Sequence, residues 1–278
     1  MWSIGIYTGD SPFKLQPAAS VTNPVLSPPD VVDIKADCVA DPFMIRVGST
    51  WYMFFEALNR EIGRGVIACA TSSDALHWSY HRVVLEEPFH LSYPYVFEWE
   101  GEYLMVPETL NAGSVRLYKA NSFPDSWAFA GELINTTGAD PSPFHCGSKW
   151  WIFLCTAPYR HDTLSLYMAD ELGGPWVQHP SSPIIRGNRS IARPAGRIVT
   201  VNGRLIRFTQ DCYPIYGSRV RAFELLHLTE DDYTEAAAVD GPILGPASSG
   251  WNGRGMHHLD AHPMPDGTWV ACVDGYSS

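Results

Sequence analysis

No apolar run in this chain approaches the roughly 18–20 residues that a membrane-spanning helix needs, and no long stretch places apolar residues at helical spacing. The nearest candidate for a helix, Thr229–Ala238, is acidic and short. Basic residues are scarce: 19 Lys and Arg against 30 Asp and Glu give a formal charge of −11. That balance argues against nucleic acid or an anionic membrane as the main partner. The six cysteines (Cys38, Cys69, Cys146, Cys155, Cys212 and Cys272) contain no Cys-x-x-Cys pair or other metal-ligand spacing. Buried, reduced thiols acting as small apolar side chains are therefore expected, with no metal and no cofactor. Met1-Trp2-Ser3-Ile4-Gly5 has neither a basic nor an apolar leader segment, so the expected location is cytoplasmic.

Aromatic residues and chain-breaking residues are abundant, with 10 Trp, 13 Tyr, 12 Phe, 23 Gly and 22 Pro. They fall in a repeated phrase: Ala40-Asp41-Pro42-Phe43, Ser92-Tyr93-Pro94-Tyr95, Ser142-Pro143-Phe144, Ala192-Arg193-Pro194-Ala195 and Ala261-His262-Pro263-Met264. Each copy is followed, after a polar or glycine turn, by an apolar run: Trp51–Phe55, Tyr103–Val106, Trp150–Cys155, Leu205–Phe208 and Trp269–Val273. The intervals between the repeat prolines are 52, 49, 51 and 69 residues. A period near fifty marks supersecondary units that bury their faces only against one another. Five such units predict an all-β fold, a five-bladed β-propeller occupying residues 1–278 as one domain.

Blades one to four each read as four strands, the first being Phe43–Val47, Trp51–Phe55, Gly65–Ala70 and Trp78–Val84. The fifth lacks its outer pair, because the chain stops just after Trp269–Val273. Ser3–Thr8 and the stretch to Leu26 resemble the outer pair of the third repeat, so the N-terminal strands are expected to close the last blade. Closure of that kind removes a free sheet edge. Trp78, Trp127 and Trp176 recur at matching outer positions and are expected to pack between blades.

In each blade the first strand leaves one mouth of the ring and the second returns to it. The strand starts would bring Asp41, Tyr93, Asp140, Arg193, Asp260 and His262 to that mouth. The strand ends would add Glu56, Glu108, Asp211 and Asp274. Several carboxylates beside an arginine and histidines are costly unless paired or used, and crowding of like charge is how a carboxyl becomes a proton donor near neutral pH. An isolated Asp before Pro more often caps a turn, so convergence is what carries the reading. His258, Asp260 and His262 would project to one side of a strand. They read either as a three-ligand metal set or, preferably, as side chains that line the funnel and bond sugar hydroxyls. Trp251, in a glycine-rich insert, could stack on a sugar ring or simply lie in an exposed connection.

Asp41-Pro42-Phe43 with Trp51-Tyr52-Met53-Phe54-Phe55 resembles the first blade of the five-bladed glycosidases that cleave arabinans, xylosides and fructans. That resemblance implies Asp41 as base or nucleophile. The proton donor of those families is a Glu before Pro in the third blade, where Ala139-Asp140-Pro141 offers Asp140. The Asp that tunes the donor from the second blade has no match at Tyr93-Pro94-Tyr95, and Glu108 becomes the substitute acid. A closer resemblance covers nearly the whole chain. Ile4-Gly5-Ile6-Tyr7-Thr8-Gly9, Ser92-Tyr93-Pro94-Tyr95-Val96 and His257-His258-Leu259-Asp260-Ala261-His262-Pro263 look like a propeller domain found alone in bacteria. That domain is also similar to the N-terminal part of plant glucosamine inositolphosphorylceramide transferases. The resemblances imply a carbohydrate or glycoconjugate partner. Two functions stay open: a glycoside hydrolase or transglycosidase, and a non-catalytic glycan-binding or accessory module in polysaccharide or glycolipid assembly.

Overall fold

The computed structural model describes residues 1–277. Five antiparallel sheets follow one another around a ring. Blade 1 is built from Ala36–Val47, Thr50–Asn59, Arg64–Ser72 and Ser79–Leu85. Blade 2 uses Ser92–Trp99, Glu102–Glu108, Val115–Ser122 and Ser126–Ile134. In blade 3, Ala139–Cys146, Lys149–Cys155 and Thr163–Ala169 are bordered by the short Val177–Gln178 and Ile185–Arg186. Blade 4 splits its inner strand into Arg193–Pro194 and Val199–Val201, followed by Arg204–Asp211, Arg219–Leu228 and Tyr233–Ala237. The acidic stretch weighed as a helix is thus the outer hairpin of blade 4, where Phe223 faces Ala237 across the ladder.

Blade 5 closes as the sequence requires. Trp2–Gly9 pairs antiparallel with Trp269–Tyr276 from Trp2 opposite Tyr276 to Gly9 opposite Trp269. Leu15–Pro17 adds the fourth strand, and Leu26 bridges back to Ile4. Among the described residues no helix is long and apolar enough to cross a membrane. All six cysteines are free thiols, and Cys69, Cys155, Cys212 and Cys272 are buried.

The period-two alternation of each strand puts one face toward each neighbouring blade. Aromatic side chains then fill the wedges between blades: Phe54 of blade 1 meets Trp127 of blade 2 edge-on at 5.4 Å. The outer tryptophans do recur in one role. The indole N–H groups of Trp78, Trp127 and Trp176 donate to the carbonyls of Ala75, Pro124 and Leu172 at 3.0, 2.9 and 2.9 Å, tying each outer turn to its blade.

Three inner strands share a device that positions the site. The ladders skip a residue between Ala40 and Phe43, between Ser92 and Tyr95, and between Ala139 and Ser142. In each bulge the residue before proline is left-handed: Asp41 at φ 52°, Tyr93 at 47° and Asp140 at 52°. Such a backbone costs about 1–3 kcal/mol per residue and gathers at functional sites. The third copy of the repeat is therefore Ala139-Asp140-Pro141-Ser142, not Ser142-Pro143-Phe144, and Asp140 stands in step with Asp41. The fifth copy is corrected too. Pro263 pairs with Trp269 at the far end of its strand, so the mouth of blade 5 is supplied by His257 and His258.

Candidate active site at the funnel mouth

Ala40 faces Glu56, Ser92 faces Glu108, and Arg193 faces Gln210 at the mouth ends of their ladders. The register thus brings Asp41, Glu56, Glu108, Asp140 and Arg193 to one end of the ring. Arg193 joins two of the carboxyls. Its Nε donates to Asp140 Oδ2 at 2.5 Å, and its Nη2 lies 3.4 Å from both Asp140 Oδ1 and Glu108 Oε2. Gln210 Nε2 donates to the same Asp140 Oδ2 at 2.8 Å, and the Asp140 N–H donates to Glu108 Oε2 at 3.2 Å. Burial, followed by the adjacent Asp140 carboxylate, pushes the Glu108 carboxyl up to about 8 despite the arginine. Glu108 therefore carries its proton at neutral pH.

Across the mouth stands a second charged group. Asp274 Oδ1 accepts the N–H groups of His257 and His258 at 3.0 Å each, and its Oδ2 accepts the Asp41 N–H at 3.1 Å. His257 Nδ1 lies 2.7 Å from Asp274 Oδ2. The angle is poor for a hydrogen bond, but at that distance the ion pair is the imidazole's partner. Burial opposes a charged His257, yet Asp274 wins and pushes its pKa up to about 9. Burial raises the Asp41 carboxyl well above its ordinary range, and the His257 imidazolium opposes that rise. Asp41 Oδ1 has no hydrogen-bond partner among the described residues; His257 Nε2 and His258 Nδ1 each stop 3.7 Å away. The funnel thus holds a buried carboxyl oxygen without a hydrogen-bond partner among the described residues. Asp41, His257 and Asp274 offer ligand atoms within 4.8 Å of one another, so the same three side chains form a candidate metal-binding group.

The remaining sequence candidates separate by depth. Tyr93 is buried, and its hydroxyl exchanges bonds with Ser142 and accepts the Gly196 N–H at 2.7 Å, locking blades 2, 3 and 4 together. Gly196 is required there, since at φ 137° an added Cβ would sit 1.9 Å from the Leu259 carbonyl. Asp260 and His262 lie one layer down the axis. Asp260 accepts from Met44 N–H at 2.6 Å, Arg197 Nε at 2.9 Å and His262 Nε2 at 2.9 Å. His258 is not with them: it precedes the strand, is fully buried, and has neither ring nitrogen partnered. Burial drops its pKa to about 4, so it is neutral. The three-ligand reading of His258, Asp260 and His262 therefore fails on geometry. Asp211 is held by Arg221 at 2.8 and 2.9 Å. Trp251 packs over Gly5 and Gly275 of blade 5, where any Cβ would strike its ring at 2.5 Å.

Several mouth residues were not anticipated. His161, in the loop after Lys149–Cys155, contacts Arg193 Nη1 at 3.0 Å. Tyr216, in the corresponding loop of blade 4, lies 5.0 Å from His161, 5.2 Å from His257 and 5.1 Å over the Arg193 guanidinium. Trp2 stacks on His257 at 4.0 Å, and His90 pairs with Glu56 at 3.2 Å. Tyr159, Tyr213 and Ile215 are exposed in the same two loops. No repeat marks these residues, because all but Trp2 sit in loops of unequal length and Trp2 begins a strand far in sequence from the inner strands of its blade. With Asp41, Glu108 and Arg193 only 6, 7 and 8 % exposed, the aromatic rim nearly covers the carboxyls.

One pH effect follows from the His257–Asp274 pair. A group whose folded pKa is raised contributes stability that is complete below its unfolded pKa and is lost as pH rises through the folded one. For His257 that window runs from about 6.5 to about 9. The melting temperature of the wild type is expected to fall between those pH values more steeply than that of His257→Gln. Parallel slopes would remove the ion pair.

Five antiparallel blades closed into one ring are a fold this chain shares with solved glycoside hydrolases. Solved structures agree on the fold. A family 117 glycoside hydrolase from Zobellia galactanivorans superposes with a TM-score of 0.57 at 16% identity, covering 85% of this chain and 84% of its own. RS223 β-xylosidase gives 0.60 at 13%, covering 76% and 77%. A glycoside hydrolase of the GH130 family of mannoside phosphorylases gives 0.63 at 13%, covering 98% and 94%. Within that architecture the chain belongs to the family described as glucosamine inositolphosphorylceramide transferase 1, N-terminal, whose model matches residues 1–276. Glucosamine inositolphosphorylceramide transferase 1 of Oryza sativa subsp. japonica is 35% identical over 298 residues and that of Arabidopsis thaliana 33%. Both matches cover 99% of this chain, which spans only 40% and 39% of those relatives' lengths.

Proposed function

We propose that this propeller is a carbohydrate-active domain that acts as a glycoside hydrolase or transglycosidase at the funnel mouth. The carrying observation is that two buried carboxyls whose pKa values are both raised, Asp41 and Glu108, stand at one mouth with different immediate partners. Asp41 Oδ1 has no hydrogen-bond partner among the described residues and faces the His257 imidazolium at 3.7 Å, which offsets part of the rise that burial imposes on it and suits a base or nucleophile. Glu108 faces the Asp140 carboxylate and holds its proton up to about 8, which suits a general acid. We assign the base to the carboxyl that faces the imidazolium and the acid to the one whose proton the Asp140 carboxylate helps to hold. Both Asp140 oxygens are engaged by Arg193, and Gln210 adds a third bond, so Asp140 serves as the group that tunes Glu108. The aromatic rim of Tyr216, Tyr159 and Trp2 supplies faces on which sugar rings stack. The names of the plant relatives and the fold of the glycosidases support a glycan or glycoconjugate as the ligand.

The second reading is a glycan-binding or accessory module. Tyr216 over Arg193 and the near-complete burial of the carboxyls favour it, since a substrate must displace that cover. A panel of aryl glycosides, furanosides included, run beside a glycan array separates the two. Release of aglycone that disappears in Asp41→Asn supports the enzyme. Glycan binding that survives Asp41→Asn, with no donor cleaved, establishes the module.

A further inference from the structure

The far side of the ring carries a second concavity. It lies between blades 2 and 3, where the Glu100-Gly101 hairpin, the His145–Trp150 hairpin and the Asp170–Gly173 turn meet. Its volume is about 440 Å³, within the usual range for small-molecule sites. The floor is apolar, formed by Leu104, Trp150 and Leu172. One wall is an aromatic corner: Trp99 meets Trp150 at 4.7 Å and 77°, and His145 lies 4.9 Å from Trp99. The rim is acidic. Glu102 is matched by Lys119 at 3.0 Å and Asp170 by Lys149 at 2.6 Å. Glu100 and Glu171, both exposed, have no ion-pair partner among the described residues. Glu100 is held over the cavity at φ 52° by its tight turn. Indole faces attract cations through the ring quadrupole, and two unneutralised carboxylates beside them reinforce that preference.

We propose that this cavity is a separate binding site for a small organic cation, an ammonium group lying against Trp99 and balanced by Glu100 and Glu171. Concavity and size favour a small molecule over a protein surface. The site shares no residue with the funnel and does not depend on what the funnel does. The test uses choline and its uncharged isostere 3,3-dimethylbutan-1-ol, titrated into the full chain at constant ionic strength while indole N–H resonances are followed by NMR. Choline is expected to shift the Trp99 and Trp150 signals saturably and to bind at least about fivefold tighter than the alcohol, as a cation–π contact predicts. Glu100→Gln with Glu171→Gln, both on exposed turns, is expected to erase that preference, and Asp41→Asn is expected to leave it intact. Equal binding of the two probes, a preference that survives the double variant, or no shift with choline overturns the proposal.

Discussion

Asp41→Asn is expected to lower turnover of any cleaved glycoside at least about a hundredfold, and Glu108→Gln to do the same for poor leaving groups. A positioned acid or base typically contributes about 10²–10⁴ in rate. The two variants differ in what should rescue them. Glu108 gives its proton to the departing oxygen, so an aryl glycoside whose phenol leaves unaided should recover most of the loss in Glu108→Gln. Asp41 acts on the other side of the bond, and no leaving group replaces it. The rate should also fall on the alkaline side as Glu108 loses its proton near pH 8, and that limb should vanish in Glu108→Gln. Steady-state kinetics on a series of aryl leaving groups across pH 5–9 reads all three. Full turnover in both variants would place the chemistry elsewhere.

Removal of residues 1–26 is expected to unfold the whole ring. The segment supplies the third and fourth strands of blade 5, and it buries Ile4, Ile6, Leu15 and Leu26 almost completely. Burial of one such side chain contributes about 1.5–3 kcal/mol, so losing four costs roughly as much as the ~5–15 kcal/mol that holds a typical domain together. The deletion would also strip Trp2 from His257 and leave Trp269–Tyr276 as an open edge. Circular dichroism and chemical denaturation of the truncated chain read the outcome. Cooperative unfolding at an unchanged midpoint would show that the closure is ornamental.

Fold and site were not equally legible. The period of fifty, the apolar runs and the missing outer pair of the fifth blade set the architecture in advance, because strand pairing and blade packing follow local alternation of residue type. Asp41, Glu108 and Arg193 could be placed at one mouth on the same grounds. The bulge was invisible. A single extra residue in each of three inner strands puts Asp140 level with Asp41, and nothing in composition distinguishes Pro141 from Pro143 as the repeat proline. In the fifth blade the copy of the repeat, 69 residues after the fourth, belongs to the far end of its strand, so Asp260 and His262 lie a layer deeper than the repeat suggests.

What the chain dictates by itself is therefore the ring, its closure by the N-terminal strands, and the acidic character of the mouth. These depend on periodicity, which any stretch of sequence carries within itself. What the tertiary structure alone decides is which charges meet. Asp140 selects Arg193 and Gln210, Asp274 selects His257, Arg197 selects Asp260, and Tyr216 reaches from blade 3 to blade 5 above them. These partners lie 17 to 70 residues apart in the chain, and the energy of a buried charge depends on neighbours a few ångströms away in space rather than along the chain.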